Sequence, residues 1–585
     1  MSELKAALRQ RLGRHLELIY AEILDPASRS VLTDALLDDM GLTNPGVEPE
    51  QFVNHWSERD FILLTYGDSI RDIGRPGLAV LKAFLDRYCA DWFTGVHVLP
   101  FFDFTSDDGF AVSDYLSVRS ELGDWSDIRA VASEYRLMAD LVINHCSSEH
   151  PWFQNFCHNQ EPGRNYFYTV EPGADLSHVV RPRTNPLLRP TETVDGNRFV
   201  WCTFSHDQVD LDFRNPEVLR EFVRIVRYYL DQGVGIFRLD AVAFLWKEPG
   251  STCLNLEPTH EIVRLLRTLI EHVQPDAMII TETNIPNQEN LAYFGNANEA
   301  HCIYNFSLPP LLLNTLLTGN CHYLKQWMMG MPPAQDGTAY FNFLASHDGI
   351  GLRPVEGLLA DEDIESLTVA MERFGGRISW RTGADGTLRP YEVNIALIDA
   401  FSGTLEGQDS WTEDRFICAH AIMLALEGIP GIYIHSLLGT ENDLEGLQRS
   451  GHNRAINRRQ WAFGEICGLL DSDDNRHGRI YRRLTRLMAL RRQQAAFHPN
   501  ATQFTLHLGD HLFGFWRQST NRRQSVFCIY NVTNTEQALC LSDINLIDTD
   551  AWYDLVNDRP LEDLDATITI RPYQGLWITN RCSGS

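Results

Sequence analysis

The sequence predicts an α/β fold: a (β/α)8 TIM barrel with two insertions and a C-terminal antiparallel β domain. Three observations lead there. Eight short apolar runs, rich in β-branched residues, alternate with amphipathic helical stretches. Polar residues capable of chemistry gather at the ends of those runs. From about residue 500 onward the pattern changes to strand-like alternation. Parallel strands need crossover helices, so β-α units in series point to a barrel.

The elements follow in order. Residues 1–55 read as a helical extension, because Leu8, Leu12, Leu16, Ile19 and Tyr20 recur at helical spacing. Pro26, and then Gly41, Pro45 and Gly46, break that pattern. The barrel strands are read at 61–68, 95–100, 136–145, 235–241, 277–283, 301–306, 338–348 and 428–436. Helical stretches such as PEVLREFVRIVRYYLDQ and THEIVRLLRTLIEHV lie between them. The barrel therefore runs over 56–145, 211–348 and 416–499. An insertion rich in Pro, Gly, Asn and Arg spans 146–210, and a second spans 349–415. Insertions of this size inside a barrel form functional loops or small subdomains. The tail, 500–585, carries HLFGFWRQS, QSVFCIYNVT, ATITIRP and GLWITN, which alternate like antiparallel strands.

Composition narrows the function classes. The 78 acidic against 50 basic residues leave a net charge of -28, which argues against nucleic acid and anionic membrane as partners. No apolar run reaches the ~18 residues that span a bilayer. The charged, amphipathic start lacks a secretory core, so the cytoplasm is expected. The 12 cysteines form no CxxC pair and no zinc-spaced cluster, which predicts reduced core thiols and no metal site. GIGLRPVEG and similar glycine-bearing stretches lack the strand-GxGxxG-helix context, so no nucleotide or redox cofactor is expected. Small molecules are the expected partners, and the oligomeric state stays open, a homodimer included.

Barrel enzymes carry their catalytic groups at the C-terminal ends of the strands. Here the third strand ends in Asp140, Asn144 and His145, the fourth in Arg238 and Asp240, the fifth in Glu282, and the seventh in His347 and Asp348. Two carboxylates on adjacent strands suit retaining glycoside cleavage, where one attacks and the other protonates the leaving oxygen. Arg238 precedes Asp240 by two residues, so both side chains share a face of the strand. A cation there keeps a nucleophilic carboxylate ionised. An acid/base needs a raised pKa, which burial among other carboxylates supplies. Any one of these residues also suits a structural salt bridge; their recurrence at successive strand ends favours a catalytic site.

RLDAVAF, ITETN and ASHD, with DLVINH upstream, resemble the four signature regions of the α-amylase family, glycoside hydrolase family 13. The resemblance covers roughly residues 55–580. It implies that Asp240 is the nucleophile, Glu282 the acid/base and Asp348 the transition-state stabiliser. It also implies that His145 and His347 bond the sugar and that Arg238 supports the nucleophile. The first insertion then corresponds to the family's domain B, and the tail to its β-sandwich domain. Asn144 resembles a calcium-ligating position of many amylases. No acidic cluster accompanies it, so hydrogen bonding is its expected role.

Finer segments, LLTYGDSI, LPFF, SDDGFAVSDY, SHDGIG and GIPGIYIHSLLGTENDLEG, resemble the sucrose phosphorylase branch. That resemblance implies a glucose clamp at Asp107, an aromatic wall at Phe110, and a glucosyl-binding arginine at Arg458, with Arg454 as the second choice. Phosphorolysis brings an anion to the glucosyl-enzyme, and anions need cationic donors. VVRPRTNPLLRP offers Arg181, Arg183 and Arg189; a solvated basic loop is the plainer reading of the same residues. In the second insertion, LRPYEVN matches the branch at Tyr391, Val393 and Asn394. It departs by placing Arg389 where the branch has an acidic residue, and Glu392 where it has glutamine. An arginine prefers a carboxylate or phosphate to a sugar hydroxyl. With the N-terminal extension, this resembles the longer members of the branch, the glucosylglycerate phosphorylases, with Arg389 as the expected receptor for a glycerate carboxylate. Sucrose, sucrose 6-phosphate, glucosylglycerol and transglucosylation remain open as alternatives. A scaffold that had lost catalysis would be expected to lack a carboxylate, and this chain retains Asp240, Glu282 and Asp348.

Overall fold

In the computed structural model, the residues described are 3–580, apart from 47, 172, 383–386, 545 and 547–550. Eight strands close into a parallel barrel: β1 Ile62–Thr65, β2 Gly95–Val98, β3 Arg136–Val142, β4 Val234–Asp240, β5 Met278–Thr281, β6 Cys302–Tyr304, β7 Ala339–Asn342 and β8 Ile429–Tyr433. They pair in chain order, and β8 closes on β1 through Ile62 opposite Gly431. Seven fall within the apolar runs read from the sequence, and β4 begins one residue before its run, at Val234. Those runs are continuous rather than alternating because a strand inside a barrel is buried on both faces; every residue of β4 is buried.

Two registers set the rim. Arg238 on β4 lies opposite Asp140 on β3, and Leu239 lies opposite Thr281 on β5. The polar ends of three neighbouring strands thus stand side by side at one level.

The first insertion folds into a three-stranded antiparallel sheet from Thr169–Val170, Leu188–Thr193 and Gly196–Trp201. The second forms another, from Ile350–Gly351, Arg377–Thr382 and Leu388–Asn394, with the helix Asp361–Arg373 beside it. After the barrel, a six-stranded antiparallel sheet packs around Phe527, Ile529, Trp552 and Ile578. The cysteines among the described residues are free thiols, most of them buried.

The N-terminal extension is a pair of helices, α1 Glu3–Tyr20 and α2 Pro26–Asp39, laid against the barrel helices α3 Pro216–Asp231 and α4 Glu257–Val273. Asp25 caps α2 through the Ser28 amide, with Pro26 in the first helical position where its missing N–H costs nothing. Leu8, Leu12 and Leu16 are fully buried and merge into the barrel's core. The polar seam is equally specific. His15 Nδ1 lies 2.5 Å from Glu261, and Asp39 accepts from Arg220 at 2.9 Å and Arg224 at 3.0 Å. The extension is therefore part of the barrel's wall.

Leu12→Ala removes a fully buried side chain from this seam. A cavity of that kind costs about 2–5 kcal/mol. The thermal midpoint is expected to drop measurably in a melting experiment, with turnover per folded molecule unchanged, since α1 is remote from the rim.

Candidate active site

The rim is organised around Arg238. One of its terminal nitrogens donates to Asp140 at 2.5 Å and to Asp240 at 2.7 Å, and the other stands 3.9 Å from Glu282. The guanidinium is 3% exposed, so these contacts act with little screening. Asp140 is held in turn by His97 on β2, whose Nε2 is 2.7 Å away. Four adjacent strands thus contribute to one chain of contacts, from His97 through Asp140 and Arg238 to Asp240 and Glu282. After Asp240 the backbone turns sharply: Ala241 has φ 49°, in the left-handed region. That turn aims the Ala241 N–H at Glu282 Oε2, 3.1 Å away. Strain of this kind persists only where its surroundings hold it.

The electrostatics divide the carboxyls. Burial opposes the charge of Asp140, but Arg238 and His97 outweigh it and hold its carboxyl below the usual range. For Asp240 and Glu282, burial wins. It pushes both upward, helped by neighbouring carboxylates and resisted by Arg238. Two such groups titrate as a pair, and burial side by side favours the state in which they share one proton. Geometry decides where the negative charge sits. Asp240 holds the Arg238 hydrogen bond, whereas Glu282 is 3.9 Å away, so the anion belongs on Asp240 and the proton on Glu282. Burial also pulls His145 and His347 below the ordinary imidazole value, which keeps both rings neutral near pH 7.

A cavity with about 660 Å³ of empty space, its open mouth included, lies over this pair. Its floor is Asp240, Glu282, Asp348 and His347, and its sides include Asp107, Phe110 and His145. Phe110 stacks on His347 with ring centres 5.0 Å apart. Asp107 and Asp108 both have positive φ, 54° and 48°, and this tight turn carries Asp107 into the wall. Asp348 bonds Arg454 at 2.5 Å.

Arg454 and Arg458 of RAINRR are placed differently from the sequence's preference. Arg454, the second choice, lines the cavity, clamped between Asp348 and a bidentate pair with Glu392 at 3.0 and 2.8 Å. Arg458 lies behind it, donating to the His347 carbonyl at 2.8 Å and paired with Asp108. Glu392, a departure from the branch in sequence, is thereby explained as Arg454's partner. It also accepts the Gly349 N–H at 2.9 Å. A β-carbon at Gly349 would lie 2.6 Å from the Val393 carbonyl, so only glycine permits this docking of insertion against rim.

The remaining arginines separate as well. Arg183 lines the cavity, with its guanidinium 5.6 Å from the Tyr391 ring, and Tyr391 lines it too. Arg181 is half-buried and does not line it. Arg189 bonds the His206 carbonyl at 2.6 Å and lies over Phe153. The expectation for Arg389 is corrected: it is exposed near the start of its strand and does not line the cavity. Two residues further along that strand the chain becomes buried, so the strand dips into the site only from Tyr391 onward. Arg353, unnoticed in the sequence, lines the cavity instead.

Asn144 has an unexpected neighbour. The buried ammonium of Lys247 lies 2.7 Å from Asn144 Oδ1 and 2.9 Å from Asp210, which also bonds the Asn144 amide at 3.0 Å. These oxygens hold an internal cation. Among the described residues no cluster of His, Cys, Asp and Glu could hold a metal.

Comparison with known proteins agrees with this geometry. Residues 91–349 match the model of the α-amylase catalytic domain. The chain is 40% identical to glucosylglycerate phosphorylase of Allomeiothermus silvanus over 99% of its own length and 100% of that protein's. This chain belongs to the α-amylase family, on the branch of the glucosylglycerate and sucrose phosphorylases. The Escherichia coli glucosylglycerate phosphorylase is 41% identical over 90% of this chain and 92% of its own. Among solved structures, sucrose 6F-phosphate phosphorylase from Thermoanaerobacter thermosaccharolyticum superposes with a TM-score of 0.70 at 24% identity, over 81% of this chain and 94% of that one, and so shares the fold. No helix among the described residues is long and apolar enough to cross a membrane.

Several residues of this α-amylase-family site escaped the sequence reading. His97 sits inside an apolar strand, and a histidine among GVHVLP was the available signal. Lys247 and Arg353 lie in loops with no motif of their own.

Two outcomes follow from the geometry. Lys247→Met strands the buried Asp210 carboxylate, a loss of about 3–5 kcal/mol, so its thermal midpoint falls, whereas EDTA leaves that of the wild type unchanged. The second concerns pH. The productive pair carries one proton, so kcat/KM falls as pH rises through the raised pKa of the Glu282 side. That alkaline limb lies above the ordinary glutamate value of 4.5 and is lost in Glu282→Gln, as a pH profile of kcat/KM will report.

Proposed function

We propose that this chain is a retaining α-glucoside phosphorylase. It cleaves 2-O-α-D-glucosylglycerate reversibly with inorganic phosphate, giving glucose 1-phosphate and glycerate. The observation that carries the reading is the anion and the acid sharing Arg238 beneath a small cavity, in a chain that matches glucosylglycerate phosphorylases along nearly its whole length.

The mechanism is a double displacement. The terminal glucosyl unit sits on the cavity floor, against Phe110 and within reach of the neutral imidazoles of His145 and His347, with Asp107 accepting from its hydroxyls. The Asp240 carboxylate attacks the anomeric carbon, and the glycosidic C–O bond breaks. Glu282 gives its proton to the departing glycerate oxygen, and a glucosyl-Asp240 ester remains. Arg238 matches the charge that leaves Asp240 as the ester forms, since its second carboxylate partner, Asp140, stays ionised. Asp348, held by Arg454, stabilises the positive charge developing on the sugar. Phosphate then enters where glycerate left. Glu282, now the base, takes a proton from it, a phosphate oxygen attacks the anomeric carbon, and the bond from that carbon to Asp240 breaks, which releases glucose 1-phosphate and restores the Asp240 carboxylate.

Phosphate competes with water at this step, and the cavity favours phosphate. Arg183 stands beside Tyr391 at the open end and has no carboxylate partner among the described residues. A guanidinium binds a phosphate bidentately, which water cannot match.

The test combines glucose 1-phosphate with glycerate, glycerol, fructose or fructose 6-phosphate and measures phosphate release. Release is expected to be fastest with glycerate. Preference for a sugar would reassign the acceptor, and no release with any acceptor would rule out phosphorolysis. Asp240→Asn is expected to fold normally and to lose at least about 10⁴-fold in kcat, the scale of removing a covalent nucleophile.

A further inference from the structure

Four arginines face or flank the cavity's inner part, and three of them are neutralised. Arg238 is paired with Asp140 and Asp240, Arg454 with Asp348 and Glu392, and Arg458 with Asp108. Arg353 is the exception. It is 8% exposed, it lines the cavity, and among the described residues its side chain makes no ion pair and no hydrogen bond. The nearby carboxylates are engaged elsewhere, Glu356 by Arg381 at 2.5 Å and Glu289 by Asn255 at 2.6 Å. Burial accordingly pulls the Arg353 guanidinium below its usual pKa. A buried cation without a partner is costly and persists where a ligand completes it.

Its placement is rigid. Arg353 follows the short strand Ile350–Gly351, which pairs with the strand bearing Tyr391. The Leu352 N–H donates to the Tyr391 carbonyl at 2.9 Å, and Ser307 Oγ donates to the Pro354 carbonyl at 3.0 Å. The segment therefore holds Arg353 in the same wall as Tyr391, with Arg183 over the Tyr391 ring.

We propose that Arg353 is the specificity residue of the acceptor subsite and receives the carboxylate of a 2-hydroxy acid. This rests on the phosphorylase reading above. The reaction handles two anions in turn at the open end, phosphate and the hydroxy acid. Arg183, on the first insertion, serves the phosphate. Arg353, fixed by backbone hydrogen bonds, serves a carboxylate adjacent to the hydroxyl that Glu282 protonates. An α-hydroxy carboxylate is short enough to keep both groups within one small cavity, which selects it over sugars.

Arg353→Met and Arg353→Lys are compared with wild type in the synthetic direction. Glucose 1-phosphate is the donor, glycerate, lactate and glycerol are the acceptors, and slow hydrolysis to glucose is followed in parallel as a measure of glucosyl-enzyme formation. In wild type, no phosphate release with any acceptor would overturn the phosphorylase reading itself, independently of Arg353. Given release, Arg353→Met is expected to lose at least about 100-fold in kcat/KM for glycerate and for lactate, chiefly through KM. Glycerol transfer and hydrolysis should stay within a few-fold, and Arg353→Lys should recover part of the loss. An unchanged ratio of glycerate to glycerol in Arg353→Met overturns the proposal. So does an equal loss with all acceptors and in hydrolysis, which would place Arg353 in the support of the site or in phosphate binding.

Discussion

The site depends on one guanidinium. Arg238 stands at the level where β3, β4 and β5 end, and carboxylates from all three strands converge on it. Without that cation, three buried carboxyls in so small a space would take up protons rather than remain charged. With it, they take different states. Asp140 stays ionised, locked by His97; Asp240 holds the remaining hydrogen bond; Glu282, at 3.9 Å, is left to carry a proton. In the proposed mechanism a nucleophile and an acid are thus made from the same functional group by distance from one arginine. The barrel supplies this distance, because neighbouring parallel strands put their ends at a common height.

The insertions perform a different task. They bring the cations Arg183 and Arg353 to the rim, and they are fastened there by contacts that leave little freedom. Gly349 lets the second insertion approach the rim closely enough for Glu392 to hold Arg454 against Asp348. Lys247 ties Asn144, just after the barrel's third strand, to Asp210 at the end of the first insertion. An internal ammonium there needs no ion from solution, and the cost of burying the lysine is offset by those two oxygens and the Leu245 carbonyl.

The barrel was legible because strands buried on both faces leave continuous apolar runs, and all eight were found in order. The catalytic carboxyls were legible for a related reason: charge at the end of an apolar strand has few structural explanations. The acceptor end was less so. Arg389 stood out because it breaks a motif, yet the strand that carries it emerges into solvent before it reaches the site. Arg353 broke no pattern and is found only once the short strand Ile350–Gly351 is seen pairing beside Tyr391. Arg454 and Arg458 differ by one turn of chain, and sequence spacing alone does not say which guanidinium points inward. Strand ends can be read from periodicity; side chains on loops depend on docking contacts such as the one Gly349 permits.

The most direct test of the account is to trap the intermediate. A 5-fluoro-α-glucosyl fluoride slows both steps by destabilising positive charge on the sugar while its leaving group still departs, so the glucosyl-enzyme accumulates. Peptide mapping by mass spectrometry then locates the added mass. The account predicts one fluoroglucosyl group on the peptide containing Asp240, released by phosphate faster than by buffer alone. Label on Glu282 or Asp348, or turnover of the reagent with no covalent species, would contradict it.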